Sequence, residues 1–154
     1  MPMWRPAGLL PPACSCPLSL ACPMRAVVTH IEVCAVPFST PHEGRPWDLF
    51  SGPDLCCEVY GPDGGRLHRS GTACDVCPPD LPVTLDAGVR LAASGPHLLR
   101  LLEVDLTGDE GVARFPLVPA RLLDAGGGTT PPVCVELTEQ ETVLQVHLSW
   151  TSEG

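Results

Sequence analysis

From Ala26 onward the apolar residues keep a period of two. Val27, Thr29, Ile31, Val33 and Ala35 share one face, and Val28, His30, Glu32 and Cys34 share the other. Side chains on an extended strand point alternately to its two faces, so this pattern predicts a half-buried strand and not a helix. Leu55, Cys57 and Val59 repeat the alternation against Cys56, Glu58 and Tyr60. Gly61-Pro62-Asp63-Gly64-Gly65 then supplies a hairpin turn, Asp-Gly being its strongest local signal, and residues 66–70 can pair back across it. Further short strands are expected at residues 83–85 (with 89–92 as a continuation), 98–105, 111–118, 133–137 and 144–150. Pro119 can open one helical turn that Gly126 ends. About eight strands at this spacing predict an all-β chain, an antiparallel sandwich.

The totals agree. Nineteen Pro and fifteen Gly among 154 residues favour short strands and turns, and the length suits a single core. Residues 25–152 form the expected domain, and residues 1–24 an unstructured leader or excess N-terminus. Four Pro interrupt that leader (Pro11, Pro12, Pro17 and Pro23), whereas a signal peptide needs an unbroken apolar centre. Ser19-Leu20-Ala21-Cys22 only loosely resembles a lipoprotein cleavage site. A cytoplasmic protein is expected, with export or lipid anchoring as the alternative.

Nine Arg face eighteen Asp and Glu, for a net charge of −9, and there is no Lys. Such a chain has no footprint for nucleic acid. Without Lys, neither a phosphate-binding loop with its lysine nor a Schiff base is possible. Gly126-Gly127-Gly128 is therefore read as a flexible connection.

The stretch Trp47-Asp48-Leu49-Phe50-Ser51-Gly52-Pro53-Asp54 places two carboxylates in a loop between strands. A second acidic stretch, Glu103-Val104-Asp105-Leu106-Thr107-Gly108-Asp109-Glu110, closes one apolar run and opens the next. Two such loops at one end of a sandwich could converge on a hard cation, which takes oxygen ligands from carboxylates and carbonyls.

Both stretches resemble the calcium loops of a C2 domain, an eight-stranded antiparallel β-sandwich that often binds calcium and lipid. The family's first loop reads Asp, five residues, then Asp-Pro-Tyr-Val. Asp48 and Asp54 keep that spacing, with Leu55-Cys56-Cys57 where Pro-Tyr-Val is usual. In the third loop Asp105 opens the pattern, and Glu110-Gly111-Val112 followed by Phe115-Pro116-Leu117 continues it. The last strand, residues 144–150, is also similar to the family's closing strand. The chain departs where Thr107 stands for an Asp, where Glu110 stands for the last Asp, and in a shortened loop. The resemblance thus implies a divergent C2-like sandwich of bacterial style. Its candidate calcium ligands are Asp48, Asp54, Asp105 and Glu110, with Asp109 beside them, enough for at most one ion. The competing reading is that these residues only suit turns, since Asp hydrogen-bonds its own local backbone. In the calcium reading Leu49 and Phe50 at the loop tip contact a protein or membrane surface. In the alternative the chain is a metal-independent interaction module.

Other chemistry is thin. Cys74-Asp75-Val76-Cys77 offers half a zinc site with no second pair, and adjacent Cys56 and Cys57 point to opposite faces of a strand. Most of these cysteines read as free thiols. Five His stand singly, and His30 and His147 read as solvent-facing strand residues. No hydrolase or metalloprotease motif is present. A non-catalytic module with no evident small-molecule substrate is expected.

Overall fold

A computed structural model describes residues 24–38, 52–125 and 130–152. The alternating runs are its strands: β1 (Met24–Ala35), β2 (Leu55–Tyr60), β3 (Arg66–Arg69), β4 (Val83–Arg90), β5 (His97–Asp105), β6 (Gly108–Leu117), β7 (Cys134–Glu139) and β8 (Thr142–Ser152). A short α-helix, α1 (Pro119–Asp124), starts on its proline as expected. The strands make two four-stranded sheets, ordered β4-β1-β8-β7 and β3-β2-β5-β6, with every pairing antiparallel. The fold is an all-β sandwich. Met24, expected in the leader, already opens β1, and residues 1–23 lie outside the described residues.

One core fills the space between the sheets. Ile31, Val33, Leu144 and Val146 enter it from one side, and Leu55, Cys57, Val59, Leu99, Leu101, Phe115 and Leu117 from the other. Burying each large aliphatic side chain contributes about 1.5–3 kcal/mol before chain entropy is set against it. β1 and β8, far apart in the chain, are central neighbours in one sheet.

Two details differ from the simple alternation, and both bear on function. In β1 the register to both neighbouring strands shifts between Val28 and His30. The bulge turns Thr29 and His30 outward together and sends Val28 inward with Ile31 and Val33, so Val27 and Thr29 do not share the face of Ile31. Secondly, the acidic stretch between the fifth and sixth strands is scarcely a loop. β5 and β6 stay paired to Asp105 and Gly108, which leaves Leu106 and Thr107 as a two-residue turn. Gly108 takes φ 137°, a backbone geometry that closes the hairpin and suits only glycine.

His97 is buried, and its ring is used on both sides. Nε2 accepts the Ala92 N–H at 2.9 Å, and Nδ1 lies 3.2 Å from the Gly95 carbonyl oxygen, which can only accept. These partners define the neutral tautomer with the proton on Nδ1. Burial accordingly lowers the imidazole pKa.

Candidate functional site

Of the residues expected at the loop end, Asp48, Leu49 and Phe50 lie outside the described residues. The rest can be placed from the register. The Val104 N–H donates to the Asp54 carbonyl at 2.7 Å, one step beyond the Leu55–Glu103 pair, and Val104 pairs in turn with Asp109. Asp54, just before β2, therefore lies in one row with Val104 of β5 and Asp109 of β6. Asp105 and Glu110 each follow a member of that row, so the pleat puts them on the opposite side.

Asp54, Asp105 and Asp109 each have a local partner. Asp54 Oδ1 accepts the Asp75 N–H at 2.7 Å. The Val76 N–H donates to the Pro53 carbonyl at 2.9 Å, and Leu55 and Ala73 exchange two backbone bonds of 2.8 Å. This clamp explains Gly52, because a Cβ there would collide with the Val76 carbonyl. Asp105 accepts the Leu106 N–H at 2.5 Å on Oδ1 and the Thr107 hydroxyl at 3.3 Å on Oδ2, which is the Asx-type turn stabilisation open to Asp. Asp109 holds Arg69 at 2.9 Å. Glu110 faces Glu103 across the hairpin. Among the described residues these carboxylates do not gather as a metal-ligating group. Calcium takes six to eight oxygens from ligands free to turn toward it. The described acidic residues alone do not fit such a cage. What the hairpin does present, at its outermost point, is the fully exposed side chain of Leu106.

Arg69 also belongs to a network on the sheet face. Glu58, only 3% exposed, accepts the Tyr60 hydroxyl at 2.8 Å, Arg66 at 2.7 Å and Arg69 at 3.0 Å, with Arg100 3.7 Å away. Burial pushes the carboxyl pKa up, but hydrogen bonds from Tyr60, Arg66 and Arg69 outweigh it, and the group ends below its ordinary value. Asp109 and Glu58 together raise Arg69 despite its desolvation. Arg100 lies over the Tyr60 ring, 5.9 Å from its centroid. Tyr60, Arg100 and Arg114 line an open cavity of about 600 Å³ with Pro62, Pro96 and Pro116. This basic recess, on an otherwise acidic chain, lies at the opposite end of β2 and β5 from Asp54 and Asp105. Its guanidiniums can donate to a carboxylate or similar anion.

Sequence reasoning missed a third constellation, on the outer face of the other sheet. His30, His147 and Cys134 stand in one register row across β1, β8 and β7, and Glu32 belongs to the next row. The imidazoles of His30 and His147 stack with centroids 4.1 Å apart and planes 12° from parallel. His147 Nε2 is 3.0 Å from Glu32 Oε2 and 4.0 Å from Cys134 Sγ. Burial, then Glu32 and Glu136, raises the Cys134 thiol pKa, and Cys34 behind Glu32 is raised in the same way. The signal available in the sequence was the same-face spacing of His30, Glu32 and Cys34. What was invisible was that the first and last strands are neighbours.

The remaining described cysteines behave as thiols. Cys56 and Cys57 are both buried, and desolvation pushes Cys57 up to about 11. Cys74 and Cys77 are exposed, with the Cys77 N–H bonded to Asp80 at 2.8 Å.

With the architecture and these sites in view, the chain was compared with known proteins. No protein-family model matches it, and no curated protein matches it in sequence. Solved structures do. A C2 domain superposes with a TM-score of 0.51 at 11% identity, covering 83% of this chain and 98% of that one. The BON1-C2B structure superposes with a TM-score of 0.51 at 13% identity, covering 92% of this chain and 99% of that one. The chain has a C2-like fold. At these identities the likeness concerns architecture alone and transfers no ligand.

Proposed function

We propose that this chain is a non-catalytic, C2-like binding module whose loop end engages a partner protein by its surface, without a bridging calcium ion. The observation that carries this reading is Leu106, fully exposed on a two-residue turn held by Asp105. A rigid turn presents an apolar contact at little cost in ordering entropy. Leu49 and Phe50, expected at the neighbouring loop, belong to the same proposed contact. The aspartates that the resemblance offers to calcium serve the turn, the clamp and an ion pair with Arg69. A net charge of −9 opposes approach to an anionic membrane. The described cysteines, Cys34, Cys56, Cys57, Cys74, Cys77 and Cys134, stand as free thiols, which is consistent with the cytoplasmic location expected from the sequence.

Leu106→Asp tests this. The substitution is exposed, so unfolding free energy should change by no more than about 0.5 kcal/mol. Cross-linked capture from the native cell extract should lose its specific protein, identified by mass spectrometry against the parent. Equal capture by both forms would contradict the reading, as would calcium-dependent sedimentation of the parent with phosphatidylserine vesicles.

A further inference from the structure

We propose that the outer face of the β4-β1-β8-β7 sheet carries a site for one divalent transition-metal ion, Zn²⁺ by ligand chemistry, held by His30, Glu32, His147 and Cys134. It lies on a sheet face and does not depend on what the loop end does.

The geometry comes first. One ligand atom from each of His30, Glu32 and His147 lies within 4.8 Å of the others. His147 Nε2 lies 3.0 Å from Glu32 Oε2 and 4.0 Å from Cys134 Sγ. Tetrahedral zinc, with bonds of about 2.0–2.3 Å, separates its ligand atoms by about 3.3–3.7 Å. Those separations bracket that value, so assembly calls for side-chain rotation on a fixed backbone. The two rings must splay from their stack, because in-plane lone pairs on parallel rings cannot meet at one point. Terminal rotation of a histidine ring has a broad, shallow profile.

The ligands come from three adjacent strands. Opposed residues in an antiparallel ladder keep their Cβ atoms about 4.5–5.5 Å apart, close enough for neighbours to share an ion. The β1 bulge is what makes His30 available. It turns Thr29 and His30 to the same side, and Thr29 then sets the tautomer of the ring. The Thr29 hydroxyl lies 3.2 Å from the His147 carbonyl, to which it must donate, and 3.2 Å from His30 Nδ1. Its oxygen is left to accept the Nδ1 proton, which puts the His30 lone pair on Nε2. A ligating histidine whose other nitrogen is held in this way is a recurrent feature of metal sites.

The donor set selects the ion. Two imidazole nitrogens, a carboxylate and a thiolate suit zinc and its neighbours, whereas calcium and magnesium want oxygen alone. A dication with Glu32 and the Cys134 thiolate makes a neutral unit, and the thiol proton leaves to solvent as the metal binds. Without metal, the Nε2–H of His147 can donate to Glu32.

The test uses the full chain, reduced and stripped with chelator, titrated with Zn²⁺ by calorimetry and with Co²⁺ by absorption. One equivalent should bind, and the melting temperature should rise with metal concentration. His30→Ala and His147→Ala should each weaken zinc at least about 100-fold, the upper end of what losing a mere outer-shell partner costs. Glu32→Gln keeps the side-chain shape and should weaken it too. Cys134→Ser should keep the visible cobalt bands and lose the near-ultraviolet thiolate-to-cobalt band. Equal melting temperatures of the stripped parent and variants verify the fold. Zinc binding unchanged in both histidine variants overturns the site. So does binding that survives them but is lost in a Cys74→Ser plus Cys77→Ser variant, or the absence of saturable binding in the parent.

Discussion

Leu99→Ala is expected to lower the unfolding free energy by about 3–4 kcal/mol, within the range for emptying a buried leucine site. Leu99 is 0% exposed and sits in a row between Val59 and Phe115 on the strands beside it. The transfer term alone accounts for roughly half of that loss. The remainder is the cavity, because paired strands on both sides prevent the backbone from closing in. The melting temperature should fall by about 10 °C for a domain of this size. Urea unfolding at neutral pH measures it, and a loss under about 1.5 kcal/mol would mean that the sheets relax over the vacancy and that the core is looser than described.

Glu58→Ala should cost about 3 kcal/mol, the lower end of the range for breaking a buried ion pair. The lower end applies because Arg66, Arg69 and Arg100 remain 52%, 30% and 36% exposed and keep much of their hydration. Removing the carboxylate leaves these guanidiniums repelling one another on one face and leaves Tyr60 without its acceptor. The pH dependence follows from the lowered Glu58 pKa. The unfolded chain binds this proton more tightly than the folded one. The stabilisation is therefore complete above the ordinary carboxylate value of about 4.3 and is lost as pH falls through the lower folded value. Glu58→Gln, which keeps shape and discards charge, should flatten this acid limb of the stability profile. A parent-like limb in Glu58→Gln would show that other carboxylates control acid unfolding.

The strands were legible because burial on one face imposes period two, and the Asp63-Gly64 turn and the Pro119 helix start followed from local chemistry. The sandwich therefore came through almost whole. The phase of β1 did not, since a single bulged residue at Thr29 reverses inside and outside without altering composition. The hairpin at Asp105 read as a loop because acidic residues interrupted the apolar run; nothing local showed that the ladder continues through Asp109 and Glu110. In the alternation Glu58 takes the face opposite Leu55, Cys57 and Val59, as the pleat requires. Its burial comes from arginines on β3 and β5, a tertiary fact. The meeting of His30 with His147 is more remote still, requiring the first strand to lie beside the last. Patterns report faces, and sites made of several strands depend on neighbours.

A calcium titration by calorimetry on the metal-stripped chain, paired with melting curves in calcium and in magnesium, bears most directly on whether the loop end works as a surface or as an ion site. The account predicts no saturable heat and the same melting temperature in both. Saturable calcium binding with a raised melting temperature, abolished in Asp54→Asn or Asp105→Asn, would contradict it.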